Sequence, residues 1–156
     1  MKNVVIRRLV QIGFLAVIAT VYGAGSAYGQ SLSSPVRATI PFDFTVADQK
    51  FPAGEYSFSR GQTTSGDLVL RVSKVEGNQA AFRLTSAVIS SVPKQSATLI
   101  FHQYGDQYFL SQVWPAGGKV GRLLYESNAE REARAAGRTS NVAMRARNVS
   151  ISAGQR

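Results

Sequence analysis

Apolar and polar residues alternate along much of this chain with a period of two. From Arg37 to Val46, the residues Ala38, Ile40, Phe42, Phe44 and Val46 fall on one side, with Arg37, Thr39, Pro41, Asp43 and Thr45 on the other. Successive side chains of an extended chain point to opposite faces, so the spacing predicts a half-buried strand over 37–46. Pro41 lies on the polar side and has no N–H for a ladder, which places this strand at an edge or gives it a bulge. Asp48-Gln49-Lys50 turns the chain, and Phe51-Pro52-Ala53-Gly54 puts Pro and Gly where a type I turn takes them. Further strands are expected over 55–60, with Tyr56 and Phe58 on one face, and over 68–73, where Leu68, Leu70 and Val72 alternate with Val69, Arg71 and Ser73. After a turn at Glu76-Gly77-Asn78 comes a longer strand in which Ala80, Phe82, Leu84 and Val88 share one face.

The run Ala97 to Trp114 reads as a hairpin. Tyr104-Gly105-Asp106-Gln107 separates two apolar-aromatic stretches, and Gly105 followed by Asp106 suits a two-residue loop. That loop sets Gln103 opposite Tyr108, Phe101 opposite Leu110, Leu99 opposite Gln112 and Ala97 opposite Trp114. Facing residues share one side of the pleat. The other side carries Thr98, Ile100, His102, Phe109, Ser111 and Val113. Both sides are largely apolar, as in a central strand pair with one face in the core and the other partly covered.

Pro115 to Lys119 is a turn cluster, and Val120 to Tyr125 is a seventh strand. Ser127-Asn128-Ala129-Glu130 has the form of a capping box and opens a helix of about ten residues, with Gly137 expected to stop it. Glu130 and Arg134 stand at i, i+4, the spacing of an ion pair. The helix offers mostly alanine to any core, so its packing energy is small. Residues 138–156 are polar and basic; Val142, Met144 and Ala146 alternate, as do Val149 and Ile151, so a last strand and disorder are both open. The whole is an all-β, single small antiparallel meander of about seven or eight strands, barrel-like or sandwich, with one short C-terminal helix.

Composition changes this picture at the ends. The formal charge of +9 divides into +3 over residues 1–29, +2 over 30–126 and +4 over 127–156. The body is near neutral, which removes the basic patch that specific nucleic-acid binding needs. Lys2, Arg7 and Arg8 precede an apolar run from Leu9 to Val21, and small residues follow it. These are the three regions of a secretory signal peptide over 1–29, with Ala27 and Gly29 suited to the −3 and −1 positions and a mature start at Gln30. An uncleaved anchor would need a longer apolar run. After a short lead-in over 30–36, the β domain occupies 37–126, the helix 127–137 and the basic tail 138–156. The mature chain is thus expected to be exported, periplasmic or extracellular, and not transmembrane. The absence of cysteine excludes disulfides, thiolate metal sites and a cysteine nucleophile.

Four strings, taken in order, resemble a family of small exported proteins of unknown function abundant in Acidobacteria and their relatives. They are Ala38 to Val46, Phe51 to Tyr56, Phe101 to Trp114 and Ser127 to Glu132, and the resemblance spans roughly residues 36–135. It implies export and a single β domain, and it carries no catalytic or binding residue across.

Candidate chemistry is sparse. His102 is the one histidine, and without cysteine a metal site would need several carboxylates to complete it. No serine stands in a Gly-x-Ser-x-Gly elbow, and Gly117-Gly118-Lys119 lacks the spacing of a phosphate-binding loop. Asp43 is placed to accept from turn amides or an arginine. No catalytic, cofactor-binding or metal-binding residue is assigned. Phe101, His102, Tyr104, Tyr108, Leu110 and Trp114 are the candidate ligand or partner contacts. Together with Tyr56 and Phe109, these aromatics either line a pocket for an apolar or sugar ligand or build a β core. Trp114, at a strand end, is the residue expected to be partly exposed. The arginine-rich tail could contact anionic surfaces. The function these features favour is a non-enzymatic exported binding or structural β module, its partner a protein or a small apolar ligand; the alternatives are a cofactor-independent hydrolase and a carrier of a small apolar ligand. Intact-mass measurement on the exported fraction should give a chain beginning at Gln30; a mass for residues 1–156 in the inner membrane would contradict cleavage.

Overall fold

A computed structural model describes residues 34–61, 68–139 and 147–155 of the chain. The segment 1–29 expected to be a signal peptide, most of the polar loop after Gly61, and Val142, Met144 and Ala146 of the tail lie outside the described residues. Among the described residues ten strands are formed: β1 (Val36–Ile40), β2 (Phe44–Val46), β3 (Gln49–Phe51), β4 (Gly54–Gly61), β5 (Val69–Lys74), β6 (Ala80–Ile89), β7 (Ala97–Tyr104), β8 (Gln107–Trp114), β9 (Val120–Leu124) and β10 (Arg147–Gln155). A single described helix, α1 (Asn128–Thr139), lies between β9 and β10. Neighbouring strands run β8-β7-β10-β1-β4-β5-β6-β9, and a further β8–β9 pairing closes the ring. The molecule is therefore a closed, antiparallel eight-stranded barrel with β2 and β3 added to it. Closure removes the free edges that an open sheet of this length would carry.

Along β1 the side chains of Val36, Ala38 and Ile40 are buried while Arg37 and Thr39 are exposed. Along this strand apolar residues thus point inward and polar ones outward, the reverse of a lipid-facing strand of an outer-membrane barrel. Among the described residues no helix is long and apolar enough to cross a membrane.

The sequence pattern predicts one strand over 37–46, but two form. Pro41-Phe42-Asp43 breaks the run, so β1 pairs with β4 while β2 pairs in parallel with β8 at Thr45–Phe109. Missing its N–H, Pro41 ends the ladder, and the Asp43 carboxylate accepts from the Ala53 amide at 2.8 Å to hold the crossing. The next turn is at Ala47-Asp48, one residue before the place expected. Both residues have positive φ, 52° and 65°, as in a type I′ hairpin. β9 ends at Leu124, opposite Thr85 in the middle of β6. Above it the β2–β3 hairpin fills the wall between β8 and β6, with Gln79 Nε2 donating to the Lys50 carbonyl at 2.7 Å.

The β7–β8 hairpin has the expected register at its tip and loses it lower down. Gln103 faces Tyr108 and Phe101 faces Leu110, but a bulge at Ser111 then sets Ile100 opposite Gln112, Leu99 opposite Val113 and Thr98 opposite Trp114. An extra residue turns every later side chain to the other face. Val113 therefore joins Leu99 in the core, and Trp114 leaves it. Trp114 is not partly exposed as expected; it is 4% exposed. Its indole lies on Gly121 of β9, donates through Nε1 to Gln112 Oε1 at 2.8 Å, and has Lys94 Nζ 5.2 Å from its centroid. The Ser111 hydroxyl is buried with no hydrogen-bond partner, a cost of about 1–3 kcal/mol that the gain in core packing must exceed.

The helix runs past Gly137, contrary to expectation. Gly137 is buried on the same face as Glu130, with half-buried Ala133 between them, and the helix continues through it to Thr139. Ser127 Oγ accepts from the Glu130 amide at 3.2 Å, as the capping pattern implies. A second cap comes from the β2–β3 hairpin, the plug of the barrel wall: Asp48 Oδ1 accepts from the Ala129 amide at 2.9 Å. That bond to the Ala129 amide holds the Asp48 carboxyl below its ordinary value, with the Ser127 hydroxyl, Arg83 and the Asn128 amide acting in the same direction against its partial desolvation. In the tail, β10 inserts between β7 and β1, with Val149 opposite Phe101 and Ile151 opposite Leu99.

Two outcomes follow from these contacts. A Cβ at Gly121 would stand 2.6 Å from Trp114 Cδ2, so Gly121→Val should cost about 1–3 kcal/mol in chemical denaturation. For Asp48, a lowered folded-state pKa means that its stabilisation is full above the unfolded value and is lost as pH falls through the folded one. Asp48→Asn, which keeps the left-handed backbone, should lower Tm at pH 6 by an amount equivalent to about 0.3–1 kcal/mol. The gap from the parent should shrink once the pH falls below the ordinary aspartate value.

Candidate functional site

The barrel interior is filled. Tyr56, Phe58, Leu70, Val72, Leu99 and Val113 are fully buried inside it, and Phe44 and Phe51 enter from the plug hairpin. The two plug rings stack on each other, both meet Tyr56 edge-on, and Phe44 also meets Phe101 edge-on, with centroids 4.9 to 5.7 Å apart. Such offset and T-shaped pairs are the favoured aromatic geometries. The Tyr56 hydroxyl donates to the Pro52 carbonyl at 2.5 Å, which ties β4 to the turn that follows the plug. Burial, and then the Asp43 carboxylate, raises the Tyr56 phenol above its ordinary value.

The six candidate contacts do not gather at one site. Phe101 and Leu110 belong to the core. Trp114 sits on the outer wall near the opposite end of the barrel from the hairpin tip. His102 and Tyr104 lie on the outer face of β7, where α1 covers them. Tyr108 lines an open cleft. The bulge at Ser111 is what separates Leu110 from Trp114, because the two would share a face without it.

Beneath the helix, His102 Nδ1 and Glu130 Oε1 are 2.6 Å apart. The Glu130 side chain is 6% exposed and that of His102 33%. Tyr104 stands beside them, its ring 6.4 Å from the imidazole. Burial first, then the charges of Glu130 and Glu126, pushes the Tyr104 phenol above its ordinary value. Glu130 thus pairs across to the barrel and not along the helix with Arg134, which instead reaches Glu126 at 3.1 Å. The pair anchors a helix whose other inward residues are Ala129, Ala133 and Gly137. Sequence reasoning left Glu130 out of the candidates because 28 residues separate it from His102.

Tyr108 lines a cleft of 430 Å³ between the plug hairpin and the tip of the β7–β8 hairpin. Tyr108 and Pro52 make its apolar side, over the buried Phe44 and Phe51; Asp43, Thr45, Lys50, Asp106 and Gln107 supply polar groups. Behind Tyr108, the Phe42 ring is stacked on it at 3.9 Å and 19°. Of the acids, Asp43 is engaged through Oδ1 with Ala53.

On the far wall, Leu70 and Val72 face inward and pair with Arg83 and Ala81, so Phe82 and Leu84 point outward. They are 60% and 54% exposed, and Tyr125 beside them is 58% exposed. Arg71 lies 5.9 Å over the Phe82 ring. The face shared by Ala80, Phe82 and Leu84 is therefore the outer one, a result hidden in sequence because Arg83 on the inner face reads as polar. Arg83 spans from that position to the Tyr125 carbonyl at 3.4 Å.

No protein-family model, curated protein or solved structure matches this chain.

Proposed function

We propose that this chain is a non-enzymatic exported binding module whose ligand or partner engages the outside of the barrel. The observation that carries the reading is the filled interior: a lipid carrier of this strand number needs a cavity, and here Tyr56, Phe58, Phe101, Leu99 and the plug residues Phe44 and Phe51 occupy that space. The mouth cleft offers what the interior does not. It is concave, part apolar and part polar, and built on hairpins fixed by aromatic packing. His102 and Glu130 serve this module as the anchor of α1.

A saturable fatty-acid titration separates this reading from the carrier. Adding a fluorescent fatty acid to the purified protein should give no one-to-one uptake, and the fluorescence of Trp114 should keep its emission maximum. Stoichiometric binding that protects the probe from aqueous quenchers would overturn the external-site reading.

A further inference from the structure

The mouth cleft has a chemistry that narrows its ligand. We propose that it binds a neutral saccharide, an inference that rests on the binding-module reading and names the ligand class for that site. Three features of the cleft support this. Tyr108 presents an aromatic surface whose position is fixed by the Phe42 ring stacked behind it at 3.9 Å. The C–H face of a pyranose packs on such a ring, and a fixed ring loses little entropy when it does. Second, the polar groups around it are unspent: the side chains of Lys50, Asp106 and Gln107 make no hydrogen bond or ion pair among the described residues, and Asp43 uses Oδ1 alone. Third, these groups are of both signs.

The mixture of signs decides the class. An anion at Lys50 would also face Asp43 and Asp106, and a cation at the carboxylates would also face Lys50. Hydroxyl groups both donate and accept, so a polyol can satisfy an ammonium, a carboxylate and an amide together. A purely apolar ligand would bury those groups without partners, which costs more than the contact with Tyr108 and Pro52 returns. The cleft's 430 Å³ falls within the range of small-ligand sites. Its walls come from two hairpins: one ends in the strained Ala47-Asp48 turn and the other in the tight Gly105-Asp106 loop. Side chains on such elements are positioned before the ligand arrives.

The test is an amide NMR titration of the purified, isotope-labelled protein. Its probes are neutral hexasaccharides of glucose, mannose and N-acetylglucosamine at millimolar concentration, with an uncharged hexapeptide and a small alkylamine run alongside. The expected result is saturable shifts confined to residues 43–52 and 106–108 with at least one saccharide. Asp106→Ala and Lys50→Ala, both exposed changes that leave the core untouched, should each weaken that binding about tenfold, the worth of one charge-assisted hydrogen bond. If the peptide or the amine shifts these residues and no saccharide does, the ligand class is wrong while the cleft stands as a site. If no probe moves the cleft, or the saccharides shift residues elsewhere, the proposal falls together with the placing of the site.

Discussion

The insertion of Phe44 and Phe51 beneath the upper wall is the contact on which the rest of this barrel depends. β9 is too short to span from β6 to β8 along their whole length, and an eight-stranded ring with that gap would expose Tyr56, Phe101 and Leu110 to water. The β2–β3 hairpin closes the gap and seats two phenyl rings on them. Burying a phenylalanine side chain contributes about 1.5–3 kcal/mol. Two such rings exceed the roughly 1–2 kcal/mol that a left-handed alanine at position 47 costs. The strained turn is thus held by the packing it makes possible.

That same turn sets the helix. Asp48 projects from it to cap Ala129, and the helix so placed brings Glu130 over His102. A helix rich in alanine has little apolar surface to bury, and its position is fixed instead by a carboxylate at each of two points: Asp48 at its N-terminus and Glu130 on its inner face. Both contacts are charge-assisted or close to it, and both are specific in direction where alanine packing would not be. The covered outer face of the β7–β8 hairpin, with Tyr104 on β7 and Phe109 on β8, owes its burial to them. The chain from Phe44 to Glu130 is thus one connected arrangement in which core packing positions a turn, the turn positions a helix, and the helix covers a strand.

The surface divides by the same logic. The plug and the β7–β8 tip meet at the mouth and leave a cleft between them, whereas the wall of β5, β6 and β9 is a plain outer sheet with Phe82, Leu84 and Tyr125 on it. The cleft combines rigid walls with unspent polar groups; the wall carries exposed apolar side chains with Arg71 over the Phe82 ring. The first arrangement is the one to which we assign, as a proposal, recognition of a small polar ligand.

Period-two alternation was enough, without tertiary information, to establish an all-β chain, the position of most strands, the tip register of the β7–β8 hairpin and the Ser127 cap, because each depends on residues close in the chain. The alternation of Val149 and Ile151 was legible, but its meaning was not: those residues became a strand only when β7 and β1 offered two edges to pair with. The break at Pro41-Phe42-Asp43, the bulge at Ser111 and the outward turn of Phe82 and Leu84 were likewise decided by what lies across the sheet, since a pattern of apolar positions names a face without saying which side holds the core. Of the six candidate contacts, sequence could collect the aromatic residues but not sort them. Closure of the barrel sent Phe101 and Leu110 inward, the bulge sent Trp114 to Gly121, and the helix covered His102 and Tyr104. Only Tyr108 was left at the mouth, where Asp106 and Gln107 of its own hairpin meet Asp43, Thr45 and Lys50 from a segment distant in the chain.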